Sequence, residues 1–124
     1  MKILFAEDDK QIIELVVDAL DCWGYFTKAV TNGEAIFEQL ESGLSPDVIV
    51  TDNNMPPGVK GMEVLRRLRA DERFKDIPVI VYSGDDDIEP EVKSLGGMFM
   101  RKSCKLDAFK KTLEMAASTA KGRR

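Results

Sequence analysis

Ile3-Leu4-Phe5-Ala6-Glu7-Asp8-Asp9 begins with four consecutive apolar residues and ends in three acids. A strand with one wet face alternates apolar and polar side chains. An unbroken apolar run this short instead predicts a strand buried on both faces, as in a parallel sheet covered by helices. The acids then stand at its carboxyl end. The following segment, Lys10 to Trp23, carries Glu14, Asp18 and Asp21 on one side and Ile13, Val16, Val17 and Leu20 on the other. That spacing predicts an amphipathic helix, stopped by Gly24.

The same alternation repeats outward from this unit. Tyr25 to Val30 reads as a second strand, and Gly33 to Glu41 as a helix buried through Ile36, Phe37 and Leu40 and ended by Ser42-Gly43. Val48-Ile49-Val50-Thr51 is a third strand between Pro46 and Asp52, followed by the loop Met55-Pro56-Pro57-Gly58-Val59-Lys60-Gly61 and a helix from about Met62 to Ala70. Ile77 to Tyr82 is a fourth strand, with Pro78 near its start, where a missing N–H is tolerated. Asp85 to Gly97 has room only for a short helix, expected to begin at Pro90. Met98 to Met100 is a brief fifth strand, and Leu106, Phe109, Leu113, Ala116 and Ala117 give a last helix its apolar stripe. Five βα units joined by right-handed crossovers predict an α/β fold. It is a flavodoxin-like, doubly wound, five-stranded parallel sheet of order 2-1-3-4-5 with five helices, the fourth short. No repeat, low-complexity stretch or linker interrupts it, so residues 1–120 read as one domain and Lys121-Gly122-Arg123-Arg124 as a small basic tail.

Composition narrows the function. The 124 residues suit a single domain, and 44% hydrophobic residues suffice for a core without disulfide staples. With no histidine, a Ser-His-Asp hydrolase, a zincin and any other imidazole base are excluded. Acids outnumber bases 22 to 18, giving a net charge of -4, which argues against direct nucleic-acid binding. Cys22 and Cys104 lack any Cys-x-x-Cys context and read as reduced thiols. The four-residue apolar start is shorter than the about 7 to 15 of a signal peptide. Nothing approaches the ~20 apolar residues of a membrane span. A cytoplasmic protein without membrane contact is expected.

In sheets of this order the ligand crevice opens at the strand ends between the first and third strands. Glu7, Asp8 and Asp52 fall there. Two unit charges ~4 Å apart repel by about 4 kcal/mol at an effective dielectric of 20, so the cluster calls for a hard divalent cation with oxygen ligands, Mg²⁺ or Mn²⁺. Beside such a cation a strand-end aspartate can attack phosphorus and form an acyl phosphate. Ser83, at the end of the fourth strand, offers a hydroxyl to a phosphoryl oxygen, and Lys102, just past the fifth, offers an ammonium. Taken singly, each has an ordinary explanation. Asp8 and Asp9 fit helix N-caps, Asp52 and Ser83 fit turns, Lys102 fits a solvated surface, and Asp85-Asp86-Asp87 fits the acidic lead-in to a helix. Only their ordered arrival at four strand ends favours a site.

These residues carry a resemblance to the receiver domains of two-component response regulators, of the stand-alone, chemotaxis-regulator-like kind. It covers nearly the whole chain through Ile3-Leu4-Phe5-Ala6-Glu7-Asp8-Asp9, the run from Pro46 to Pro56 around Asp52, Gly61 to Arg69, Pro78-Val79-Ile80-Val81-Tyr82-Ser83-Gly84 and Lys102. The resemblance implies that Asp52 accepts the phosphoryl group, and that Asp8, Asp52 and the Asn54 main-chain carbonyl bind Mg²⁺, with Glu7 acting mostly through water. It assigns Ser83 and Lys102 to the phosphoryl oxygens. Phe99 becomes the aromatic switch that changes rotamer as Ser83 moves, and Asn54 and Asp85 tune acyl-phosphate hydrolysis. It also implies a sensor histidine kinase or phosphotransfer protein as donor and another protein as target.

The chain departs from the family pattern in places. The loop from Pro56 to Gly61 is one residue longer than the family's Met-Pro-x-x-x-Gly spacing. Ser83 and Lys102 are 19 positions apart, shorter than usual, so partner choice through the fourth helix, fifth strand and fifth helix is expected to be atypical. Ser103 stands where the family has a proline in a cis bond. Because a non-proline cis bond costs ~2.5–4 kcal/mol, a trans Lys102–Ser103 bond is expected. A degenerate receiver that binds partners without phosphorylation is the alternative function. A small-molecule aspartyl phosphatase fits less well, since such enzymes carry an Asp-x-Asp pair on the first strand where this chain has adjacent acids. Catalysis beyond its own phosphorylation and dephosphorylation is not expected.

Overall fold

In the computed structural model, which describes residues 1–56, 58–102 and 105–123 and only the backbone of 119–123, β1 (Lys2–Ala6) pairs with β2 (Phe26–Val30) on one side and β3 (Val48–Asp52) on the other. Beyond β3 lie β4 (Val79–Ser83) and β5 (Met98–Arg101), so the sheet runs β2-β1-β3-β4-β5 with every neighbouring pair parallel. This is the predicted order. The expected strand bounds differ by one or two residues at the ends, falling short of the pairing at β1, β3 and β5 and running past its start at β2 and β4, because side-chain pattern does not fix where backbone pairing begins or stops.

Five helices connect the strands: α1 (Lys10–Cys22), α2 (Gly33–Glu41), α3 (Gly61–Ala70), α4 (Glu89–Ser94) and α5 (Leu106–Arg123). Alternate residues of the central strands feed two cores. Leu4, Ala6, Ile49, Val79 and Val81 pack with Ile36, Leu65, Leu68 and Val92 of α2, α3 and α4. Ile3, Phe5, Val48, Val50, Ile80 and Tyr82 pack with Leu20, Phe109, Leu113 and Ala116 of α1 and α5. The continuous apolar run of β1 therefore serves both layers, Ile3 to Ala6 being buried throughout. Each of the larger apolar side chains among them stabilises the fold by ~1.5–3 kcal/mol on leaving water.

Local sequence fixes the helix ends. Asp9 caps α1, its Oδ1 accepting the Gln11 and Ile12 N–H groups at 2.9 and 3.4 Å, which leaves Asp8 outside the cap. The stop at Gly24 needs a residue free of Cβ, since φ there is +81°. In that conformation the Gly24 N–H reaches the Asp21 carbonyl at 2.9 Å and the Tyr25 N–H reaches Leu20 at 3.0 Å, satisfying two orphan carbonyls.

The fourth helix is short, as expected. A 3₁₀ turn over Asp86–Ile88 precedes its six residues, and Pro90 is its second residue rather than its first. Buried Val92 roots it in the core. Arg69 of α3 holds its far end, donating to the Leu95 and Gly96 carbonyls at 2.8 and 3.2 Å and to Lys75 and Ile77 at 3.1 and 2.8 Å. In α5, Phe109, Leu113 and Ala116 are buried, but Leu106 is exposed although it shares the predicted stripe. The backbone of α5 continues through Arg123, into the run read as a basic tail. The Lys102–Ser103 bond and Cys104 lie outside the described residues. Among the described residues no helix is long and apolar enough to cross a membrane.

Candidate functional site

The parallel register between β1 and β3 sets Ala6 opposite Thr51, so the residues that follow converge. Glu7, Asp8 and Asp52 each offer a carboxylate oxygen within 4.8 Å of the others. Glu7 and Asp52 are fully buried and Asp8 is exposed. Glu7 is held at both oxygens. Its Oε1 accepts the Asp8 and Asp9 N–H groups at 3.0 and 3.2 Å, and its Oε2 accepts the Tyr82 hydroxyl. Burial pushes the Glu7 carboxyl up to about 7, with Asp8 and the charge of Asp52 adding, while the Tyr82 hydroxyl and the Asp9 amide pull the other way. Burial likewise raises the Tyr82 phenol, reinforced by its bond to Glu7.

Asp52 is gripped from two sides. The Asn54 N–H donates to Oδ1 at 3.0 Å, and the Lys102 ammonium donates to Oδ2 at 2.8 Å. Partial burial disfavours the Lys102 ammonium, but the bond to Asp52 and the charges of Asp52, Glu7 and Asp8 outweigh it, raising its pKa above the usual lysine value. The Lys102 main-chain N–H also donates to the Ser83 carbonyl at 3.1 Å, tying the ends of β4 and β5 together. Ser83 Oγ is buried and accepts the Asp85 N–H at 3.0 Å.

A cavity of about 330 Å³ opens between these groups, lined by Asp52, Asn53, Asn54, Lys60, Ser83, Gly84, Asp85 and Lys102, with room for a phosphoryl group. Of the residues singled out in the sequence, Asn54, Asp52, Ser83, Asp85 and Lys102 border this space, while Glu7 and Asp8 lie outside its lining but keep their carboxylates close to that of Asp52. Phe99 sits elsewhere. It pairs in register with Val81 on β5 and packs, partly buried, on the core beneath α2, α3 and α4.

The donor set fits a hard cation. Three carboxylates face one ammonium, all donors are oxygens, and two of the acids are dry, so the repulsion among them is not screened by water. Glu7, Asp8 and Asp52 could hold a metal.

The loop after β3 is shaped to keep Asp52 in place. A Cβ on Gly61 would lie 2.7 Å from the Asp52 carbonyl oxygen, so only glycine lets α3 start this close to the strand. Asn53 caps that helix from nine residues away: its Oδ1 accepts the Met62 N–H and its carbonyl the Gly61 N–H, at 3.0 and 3.1 Å. The longer loop docks on α2, where Val59 covers Gly33 and donates its N–H to Glu34 at 3.4 Å.

Three residues at this site escaped the sequence reading. Asn53 and Lys60 sit in a loop whose path was not readable. Tyr82 did leave a signal, because a tyrosine in a doubly buried strand needs a partner for its hydroxyl and buried acids stand at the neighbouring strand ends.

Comparison with known proteins agrees with this geometry. The profile of the "Response regulator receiver domain" family matches residues 3–114. The chain is 27% identical to chemotaxis protein CheY1 of Helicobacter pylori strain J99 over 123 residues, covering 96% of this chain and 98% of that protein. It is 36% identical to chemotaxis protein CheY of Pseudomonas aeruginosa over 86 residues, 68% of each chain. Among solved structures, response regulator TrrA of Thermotoga maritima, in complex with Mg²⁺-BeF, superposes with a TM-score of 0.81 at 26% identity, covering 93% of this chain and 97% of that one. Chemotaxis response regulator CheY4 of Vibrio cholerae shares the fold with a TM-score of 0.82 at 24% identity, over 93% and 97% of the two chains.

Proposed function

The chain belongs to the response regulator receiver domain family, and from that premise we propose that it is a signalling switch that accepts a phosphoryl group on Asp52 in a Mg²⁺-dependent reaction. One observation carries the reading: the buried Asp52 carboxylate is paired to Lys102 at 2.8 Å and lies within 4.8 Å of ligand oxygens of Glu7 and Asp8.

An Asp52 oxygen attacks the phosphorus of a phosphohistidine on a sensor kinase or phosphotransfer protein. An O–P bond forms, the P–N bond breaks, and the leaving imidazole takes up a proton from solvent. With no histidine in the chain, that imidazole belongs to the partner. Asp8, Asp52 and the Asn54 main-chain carbonyl would hold the cation, with Glu7 acting through water, and the cation would neutralise charge between carboxylate and phosphoryl oxygens. Lys102 exchanges its bond to Asp52 for one to a phosphoryl oxygen. The Ser83 hydroxyl donates to another, drawing in the start of the β4–α4 loop. Phe99 follows that movement and reports it to the α4–β5–α5 surface. Asn54 and Asp85, at the cavity wall, tune how quickly water removes the phosphoryl group. Output passes by contact with another protein in the cytoplasm, not with nucleic acid or membrane. The chain turns over no external substrate.

Incubation with Mg²⁺ and acetyl phosphate, read by intact mass, tests this. The wild type gains one phosphoryl group and Asp52→Asn gains none. No gain by the wild type under any condition would favour a receiver that acts as an interaction module without phosphorylation.

A further inference from the structure

We propose that Tyr82 is a positioning residue for the cation site: its hydroxyl, donated to Glu7 Oε2, fixes the Glu7 carboxylate and so sets the affinity for a divalent cation. The inference rests on the cation-dependent reading above. Tyr82 belongs to β4, and Glu7 follows β1, with β3 between them. Two strand spacings, about 9.6 Å, separate these strands. A valine or isoleucine at position 82 would fill the core but end far short of the acid. A phenylalanine would leave the last step unbridged. Only the phenolic oxygen completes the span.

The ring that carries this hydroxyl is itself fixed. It is 5% exposed, stacks on Phe5 with centroids 6.0 Å apart, and has the Lys102 ammonium 5.7 Å from its centroid. Its backbone pairs in register with Asp52. One rigid residue thus bonds the acid that follows β1 and stands within cation–π range of the ammonium that serves the acid of β3. On Glu7 the division of labour is clear: Oε1 is anchored by two main-chain N–H groups and Oε2 by Tyr82. Without the hydroxyl the carboxylate keeps one anchored oxygen and can turn about its terminal bond, and the other oxygen faces the interior with no donor. Partners that orient a metal's direct ligands typically contribute about 10–100-fold to its affinity, and because Glu7 acts through water the contribution of Tyr82 falls at the low end of that range.

Calorimetric titration of MgCl₂ into the wild type, Tyr82→Phe, Glu7→Gln and the double variant tests the proposal. Tyr82→Phe is expected to weaken Mg²⁺ binding by about tenfold. In the metal-free protein it should also shift the amide resonances of Asp8 and Asp9, which report the Glu7 carboxylate. In the Glu7→Gln background the same change should cost less than about twofold, because the residue through which Tyr82 acts is already altered. Equal affinity in wild type and Tyr82→Phe, or an equal loss in both backgrounds, overturns the proposal. If Tyr82→Phe does not fold, Glu7→Asp, which keeps the charge but falls short of the hydroxyl, must show the loss, and wild-type affinity there overturns it. A wild type that binds no Mg²⁺ defeats the functional reading and this inference together. A wild type that binds while Tyr82→Phe matches it defeats the inference alone.

Discussion

Glu7 is where burial and charge are most at odds. Its folded pKa, about 7, lies above the ordinary value of 4.5. A raised carboxyl pKa means that the native state binds the proton more tightly than the unfolded chain does. The stability this contributes is fully present below about 4.5 and is lost as pH climbs through about 7, a change of about 3 kcal/mol. The metal-free thermal midpoint of the wild type should therefore fall from pH 5 to 7.5, and that fall should flatten in Glu7→Gln. Parallel slopes would refute the assignment. Under the proposed function Mg²⁺ favours the ionised acid, so adding it should restore stability chiefly at the upper end of this range. The acid itself was legible in the sequence, since an apolar run that ends in charge marks a strand end. Its tether left only a partial signal: a buried tyrosine needs a hydroxyl partner, but which acid it meets was hidden, because Tyr82 is 75 residues away and reaches over an intervening strand.

At the level of elements, the β3–α3 junction and α4 show what spacing can and cannot reveal. The short interval from Ser83 to Lys102 leaves room for only a truncated α4, and that much is legible from spacing alone. What holds six residues of helix in place was hidden, because Arg69 reaches carbonyls 26 and 27 residues away as well as those of the loop that follows its own helix. Arg69→Ala should speed amide exchange at Gly96 and Gly97 by at least about tenfold, as bonds from a charged donor are worth ~1.5–3 kcal/mol each, with little change at the buried amides of β1. Uniform change across the sheet would mean that Arg69 supports the whole fold rather than α4. At the other junction, Gly61→Ala drives a methyl against the Asp52 carbonyl. It should cost about 1–3 kcal/mol in urea denaturation and slow phosphorylation by acetyl phosphate, whereas Gly84→Ala, where an added Cβ meets nothing within 4 Å, should leave stability nearly unchanged.

For the whole molecule, the topology gathers the chemistry. Parallel strands in the order β2-β1-β3-β4-β5 bring the carboxyl ends of β1, β3, β4 and β5 to one edge, and with them Glu7, Asp8, Asp52, Ser83 and Lys102. Unbroken apolar runs at β1, β3 and β4 mark these strands as buried on both faces and so central, while their order was legible only through the doubly wound fold that five βα units imply. The cavity could not, since its walls at Asn53 and Lys60 depend on how a glycine-rich loop docks against α2. A net charge of -4 is likewise a poor guide to such a molecule, because what matters is three acids meeting one ammonium at a single point. That meeting is tested most directly by locating the phosphoryl group. After incubation with Mg²⁺ and acetyl phosphate, borohydride reduction converts an acyl phosphate to the corresponding alcohol, and peptide sequencing by mass spectrometry finds it. Reduction at Asp52 alone, abolished by EDTA, is the expected result. Reduction at Asp8 or Glu7, or a modified Asp52 that survives full chelation of the metal, would contradict it.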